Sequence, residues 1–583
     1  MSIYDKSSLV LIPSGTKTGK VYSQKPTNGD GDFTFTRSSA ATRVNADGNI
    51  EKETQNKLLR SNKFDTTWTL TNATLTSGQS GYDGSNDAWL LNATDVFSSV
   101  RQSISKSGVQ TLSVYAKAGS YNFVRVACYD GSNIYDSYFD LQNGILGTSL
   151  NAIDANIQSV GGGWYKCSVS VNVNTTEVRI YSAIADNNGF GTNGSIYIQD
   201  AQLEQGLVAR DYIETTAAAV EGGITDNVPR LDYTDSSCPA LLLEPLRTNV
   251  VPHSEYLESL SAVNASMSAN EAISPDGGNN ATKLSALISA PSSQWARYFN
   301  IVQNNQKQAL SIYAKAGNID DFTITYYDMS TGDLFFNYDL GAGSVSAPTG
   351  SPYYVDADIQ DMGNGWYRCI AVVNAQRAGT NGQFQVSAGV QRVVQNIGDY
   401  VYIYGYQWEQ DATYATSYIP TYGSSVTRTA DVCNDAGDAS TFNSTEGVLY
   451  ANILKKNNSD YSTLSISADA NNSLQIGFNP SNKFFFRITA NNSVVFNNES
   501  ISSTNNKYYK IAFKYKSGDS AIWIDGIEVF QSTQSFSFAS ALSDLSFKFR
   551  KSDSLFPFYG NVKQILTFNT ALTDTELADL TTL

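Results

Sequence analysis

Two pairs of carboxylates and one pair of tryptophans stand at matching places in this 583-residue chain. Glu204 corresponds to Glu409, Asp140 to Asp339, and Trp164 to Trp366. Two carboxylates flanking a glycosidic bond can supply the acid and the nucleophile or base of glycoside hydrolysis. A residue that recurs in both copies of a duplicated unit more often serves the fold, through a buried hydrogen bond or ion pair. That structural role is the expectation for all four acids, and residues 446–583 contain no E-x-D-x-x-E arrangement. His253 is the only histidine. It cannot form a multi-histidine metal site, and no serine or cysteine motif accompanies it to suggest a triad. The chain is therefore expected to have no catalytic residues and no cofactor.

Flat rings stack on the CH faces of sugars, so the aromatic residues are the stronger candidates for binding. Trp164 and Trp366 recur within GWYKC and GWYRC, which favours a core role. Trp68, Trp89, Trp295, Trp408 and Trp523 have no counterpart in the other copy, and with Tyr326, Tyr327, Tyr404 and Tyr406 they are the candidates for an exposed platform. From this set Trp295, Tyr326, Tyr404, Tyr406 and Trp408 are taken as the carbohydrate-binding residues. Asp30-Gly31-Asp32 and Asp83-Gly84 are acidic loops of a kind that calcium uses, but they read equally as ordinary turns. No D-x-D-x-D-G loop occurs, and no metal ligand is assigned.

The elements that would position these residues come from a duplication. LSVYAKAG (112–119), GWYKC (163–167), AQLEQ (201–205) and DYI (211–213) reappear as LSIYAKAG (310–317), GWYRC (365–369), YQWEQ (406–410) and SYIP (417–420). Apolar residues alternate at Leu112/Val114/Ala116, Val124/Val126/Cys128, Leu310/Ile312/Ala314, Phe322/Ile324 and Val401/Ile403. This period of two marks half-buried strands. Many short strands with Gly- and Asn-rich turns predict two tandem jelly-roll sandwiches, at 56–216 and 249–422. Residues 1–55 read as an extended N-terminal arm, 217–248 as an extended connector and 423–445 as a hinge. A third, different β-sandwich fills 446–583. Within it Asp525-Gly526 predicts a tight hairpin, and Thr573-Asp574-Thr575-Glu576 predicts a capped helical turn. The fold class is all-β.

Composition narrows the function. The net charge is −16 and basic residues do not cluster, which argues against nucleic acid as a partner. No stretch approaches 18 apolar residues and the start lacks a secretory pattern, so neither membrane insertion nor a signal sequence is expected. Five scattered cysteines without a CxxC read as buried free thiols, as suits assembly in a reducing cytoplasm.

The run LIPSG, GKVYS, FTFTRSSAATRVNADGNIE, NVPRLDY, CPALLLEPLRTN and HSE resembles the N-terminal region of a family of bacteriophage structural proteins. AQLEQG…DYIET and YQWEQ…TSYIPT are similar to the last strands of carbohydrate-binding-module-like jelly rolls in those proteins. EGVLYANI to GNVKQILTFNTALTDTEL resembles a concanavalin/laminin-G-like sandwich. In that family ATRVNADGNIE and NVPRLDY usually lie close together; here the first jelly roll stands between them, as though inserted. The resemblance implies a virion-attached head or tail fibre or decoration protein, a homotrimer in the expectation adopted here. It would dock on other virion proteins through residues 1–55 and meet host-surface glycans with its sandwiches. Its location would be the virion, after assembly in the host cytoplasm. The alternatives are a glycan-active enzyme with targeting modules and a bacterial adhesin.

Overall fold

The computed structural model describes residues 3–299, 306–328, 332–375 and 383–582. Its regular secondary structure is nearly all strand, arranged in three sandwiches. In the first, one sheet runs in the order Asp154–Gly161, Trp164–Asn172, Val109–Ala118, Ser195–Gln205, Ala88–Ala93, Ala73–Gln79. The facing sheet runs from Ile145–Leu150 through Ile134–Asp140, Phe123–Tyr129, Thr175–Ala183 and Ser99–Lys106 to Thr69–Thr71. The second sandwich repeats both orders, with Val109–Ala118 replaced by Gln306–Ala316 and Ser195–Gln205 by Tyr400–Gln410. Leu112, Val114, Val124 and Val126 meet between the first pair of sheets, and Leu310, Ile312, Phe322 and Ile324 between the second. These are the residues that the period-two pattern selects.

Both copies carry the same β-bulge. Ser113 pairs with Gln202 and Tyr115 with Gln199, while Ser311 pairs with Gln407 and Tyr313 with Tyr404. Two residues of the later strand therefore oppose one of the earlier. The extra residue is left-handed in each case, Asp200 at φ 51° and Gly405 at φ 67°. A Cβ on Gly405 would come within 2.9 Å of the Tyr313 ring, so glycine is needed there for space as well as for conformation.

The arm and the connector are not free segments. Ser7–Leu11 pairs with Gly560–Phe568, and Ala240–Leu243 pairs with the other end of that same strand. Phe33–Thr36 pairs with Val432–Asn434. Leu9, Leu11, Val21, Phe33, Phe35, Leu241 and Leu243 lie in the core of the C-terminal sandwich. This corrects the expectation of an arm separate from the sandwiches. The alternating apolar residues of 1–36 face the protein's own third core, and the strand's hydrogen bonds are made within the chain. Each fully buried side chain of this kind stabilises by about 1.5–3 kcal/mol. Deleting residues 1–55 is therefore expected to unfold the third sandwich, not to leave all three intact.

A buried ionic knot ties these segments together. Asp431 binds Arg37 at 3.1 Å and also Arg230, and Glu244 binds Arg230 at 2.6 Å and Arg428 at 2.8 Å. The Glu244 carboxylate also accepts the Ser417 N–H at 2.7 Å. Arm, connector, second sandwich and hinge each contribute a group. Desolvation dominates at Arg37 and lowers its pKa to about 10 despite Asp431.

The local signals read from the sequence appear as expected. Asp525 and Gly526 are both left-handed between paired Ile524 and Ile527, as a tight hairpin requires. Thr573 and Glu576 cap the helix Asp574–Thr582 reciprocally, with Thr573 N–H donating to Glu576 at 2.9 Å and Glu576 N–H to Thr573 at 3.3 Å. Four cysteines are buried and Cys238 is exposed, so burial does not hold for all five. Burial pushes the Cys128 thiol up to about 12.

Candidate functional site

The repeated acids have structural partners. Glu204 accepts Gln202 Nε2 at 2.7 Å and the Arg210 N–H at 2.9 Å. Glu409 accepts the Thr416 N–H at 2.9 Å and the Thr416 hydroxyl. Each carboxylate thus fastens the segment that returns across its sheet after the last strand. Asp140 and Asp339 close turns, accepting the N–H groups of Gln142 at 2.9 Å and Gly341 at 2.9 Å.

The aromatic platform expected from sequence does not form. Tyr404, Tyr406 and Trp408 are fully buried and Tyr326 is 1 % exposed. Tyr326 points inward with Phe322 and Ile324, whose parity it shares. Tyr406 and Trp408 enter the inter-sheet core because the bulge at Gly405 shifts the alternation by one; without it they would share the outer face with Tyr404. Their polar atoms are satisfied there, Tyr406 Oη donating to the Phe384 carbonyl at 2.8 Å and Trp408 Nε1 to Gln308 at 2.8 Å. Tyr404 does face outward, but it is covered. Trp295 is half-buried, with the Arg392 guanidinium 5.0 Å from its ring centroid. The recurring Trp164 and Trp366 are 3 % and 2 % exposed, in keeping with the core role. The structure does not bring the five chosen residues together as one surface.

What it does bring together lies between the tandem sandwiches. Residues of the arm, Asn49 to Gln55, pass along a groove of about 1070 Å³. Asn156, Gln158, Lys166 and Ser168 of the first sandwich form its floor, since alternate residues of adjacent strands face the same way. Asn270 and Asn279 of the second sandwich stand opposite, and Tyr212 lines the groove with the return segment. Ion pairs span it. Lys52 Nζ lies 2.7 Å from Glu255 and 2.8 Å from Asp276, and Arg210 Nη2 reaches Asp276 at 2.5 Å. Burial opposes the Lys52 charge, yet Asp276 and Glu255 hold its ammonium well above the usual lysine range. Burial likewise works against the Asp276 carboxylate, and Lys52 and Arg210 overcome it, keeping that group well below its ordinary pKa. Burial raises Glu204 to about 7 and raises Asp154 as well.

Lys52 and Arg210 are compensated by Asp276 and Glu255, and Glu51 by Arg43, while Asn156 and Gln158 stand exposed on the floor of the groove. Among the described residues no three His, Cys, Asp or Glu side chains gather as a metal site would need. Asp83, in one of the acidic loops, accepts the Ser85 N–H at 3.0 Å and Gln199 Nε2 at 3.3 Å, as a turn residue does. Asn156, Gln158, Asn270 and Asn279 escape notice in the sequence because Asn-rich strands are common throughout it. Only the apposition of two distant sandwiches selects them.

Residues 441–578 match the profile of the concanavalin A-like lectin/glucanases superfamily, of laminin-G type, and this stretch is the third sandwich. No curated protein matches the chain. Among solved structures, the CBM40 of the Ruminococcus gnavus IT-sialidase is 13 % identical, with 24 % of this chain and 86 % of that one covered and a TM-score of 0.22. The N-terminal CBM22-1–CBM22-2 tandem domain of Paenibacillus barcinonensis Xyn10C is 11 % identical, over 61 % of this chain and 96 % of that one, at TM-score 0.20. Domains LG4-5 of the mouse laminin α1 chain are 10 % identical, over 50 % of this chain and 96 % of that one, at TM-score 0.18. Likenesses at this level carry nothing about what the chain binds. The C-terminal body is a laminin-G/concanavalin-like sandwich, and two further β-sandwiches precede it.

Proposed function

We propose that the protein is a non-catalytic structural protein of a bacteriophage virion, a head or tail fibre or decoration, that holds neutral host-surface glycans in the groove between its tandem sandwiches. The observation that carries the glycan reading is that groove, an extended cleft floored by the amides Asn156 and Gln158 and faced by Asn270 and Asn279. Amides accept and donate at once, as sugar hydroxyls require. Acidic groups around the cleft outnumber basic ones, six to three, which disfavours a polyanionic glycan. The virion setting rests on the resemblance of the arm and connector sequences. The homotrimer is part of the same proposal, and a mass measurement in solution tests it.

An array of neutral and acidic glycans probed with the full chain tests the groove. Neutral oligosaccharides are expected to bind without release of reducing sugar, and Asn156→Trp, at an exposed position, is expected to weaken them about tenfold, a change of about 1.4 kcal/mol. Unchanged binding by that variant refutes the groove. Release of reducing sugar would favour the glycan-active enzyme instead.

A further inference from the structure

A second cavity, of about 600 Å³, lies where the arm, the first sandwich and the end of the second sandwich meet. It shares Lys52, Glu53, Gln55 and Gln205 with the groove, so the arm forms the partition between the two. Its size is within the range of small-ligand sites. Three of its lining residues carry a buried polar atom without a hydrogen-bond partner: Gln55 Oε1, His253 Nδ1 and Arg428 Nε. Unpaired buried polar atoms are costly, and these three sit in the wall of one cavity, within reach of an occupant that adjusts it. The cavity also presents a ring: Tyr422 lines it beside Pro420 and is half-buried, with its hydroxyl 3.2 Å from Glu255, while the buried Tyr418 backs the wall.

Charge selects among occupants. Arg428 is paired to Glu244 at 2.8 Å and Lys52 to Glu255 at 2.7 Å, so the cations at the wall are neutralised from behind. An anion would gain little from these paired cations and would meet the Glu53 carboxylate, and a cation would meet Lys52 and Arg428. The unpaired atoms include both an acceptor and a donor, which hydroxyl groups satisfy equally well. A ring that is apolar on its faces and hydroxylated at its edge would meet all these demands. We propose that this cavity is a separate binding site for one uncharged pyranose unit. The site is distinct from the groove and does not depend on it.

Calorimetry and saturation-transfer NMR of the full chain with the methyl glycosides of glucose, galactose, mannose and N-acetylglucosamine test this. At least one is expected to bind. Ser424→Trp, at an exposed position lining the cavity, and His253→Ala are each expected to weaken it tenfold or more with melting unchanged. Asn156→Trp in the groove should leave monosaccharide binding as it was. The proposal is overturned if no glycoside binds at up to about 10 mM, if neither cavity variant alters binding, or if Asn156→Trp removes it equally.

Discussion

The tandem sandwiches share a strand order, a bulge and a Tyr–Trp pair on the outer face, and they differ in what covers that face. In the first, Tyr82 lies flat on Tyr115, centroids 3.8 Å apart and planes 4° from parallel, with its hydroxyl donating to Asp200 at 2.9 Å. Trp164 and the half-buried Tyr197 complete the cluster. In the second, the corresponding Tyr313 and Trp366 pack with Tyr404, Tyr418 and an imported residue, Ile50 of the arm. The Ile50 N–H donates to the Pro275 carbonyl at 2.8 Å, and Lys52 follows to reach Asp276. One position decides much of this. Asp200 at the bulge requires a partner for its carboxyl, which Tyr82 supplies. Gly405 at the same place offers none and makes room for Tyr313. The two copies share the scaffold; the second seats the arm, and the outer face of the first lines the groove.

The comparison breaks most completely if the arm is removed. Deleting residues 1–55 should leave the first sandwich folded, uncover the Tyr313–Trp366 face of the second and unfold the third. The buried arm residues contribute as much as the 5–15 kcal/mol that an ordinary domain has in total. Hydrogen exchange is expected to show slow amides in the first and second sandwiches and fast ones in the third, and protection across 446–582 in the deletion would contradict this. A smaller effect comes from the corresponding loop acids. Lys52→Met leaves Asp276 and Glu255 short of a partner in a buried site and should cost about 3–5 kcal/mol in a denaturant melt. Asp83→Asn, at the equivalent place in the first copy, should cost less than about 1 kcal/mol. Equal costs would mean that the two faces are not differently used.

A smaller effect than that of Lys52→Met is a pH dependence that enters through Asp200 of the first copy, where the second has Gly405. Burial raises Asp200 to about 7, against about 3.9 for an unfolded aspartate. A raised carboxyl favours its protonated form in the fold, so its stabilisation is full below about pH 4 and is lost as the pH rises through about 7. Asp200→Asn keeps the neutral form at every pH. Its advantage over the parent should grow from pH 4 to pH 7 and level off at roughly 1–3 kcal/mol. Melting curves that run parallel across this range would remove Asp200 from the account.

The parts of this molecule that are local in sequence were legible in it. The duplication, the inward residues such as Leu112 and Ile324, the Asp525-Gly526 hairpin and the Thr573–Glu576 cap each depend on neighbours a few positions apart. The bulge was missed, although Gly405 within a strand is its usual signal, and Tyr406 and Trp408 were assigned to the wrong face as a result. The groove and the cavity were not legible at all. Gln55, Asn156, His253 and Asn270 belong to separate segments, and no periodicity links them. Likewise nothing in SSLVL states that its partner strand is Gly560–Phe568.

That last pairing has a consequence for the order of synthesis. Ser8 and Thr567 share a hydrogen bond between hydroxyls although 559 positions separate them. On the ribosome the first strand emerges long before its neighbour exists, and it must wait with Leu9 and Leu11 unburied. The first sandwich can close meanwhile, but the third cannot be completed until translation has passed residue 568. Folding of such distant pairs is slow and leaves sticky edges open. Newly made chains should therefore depend on chaperones, or on high dilution, far more than an isolated first sandwich does.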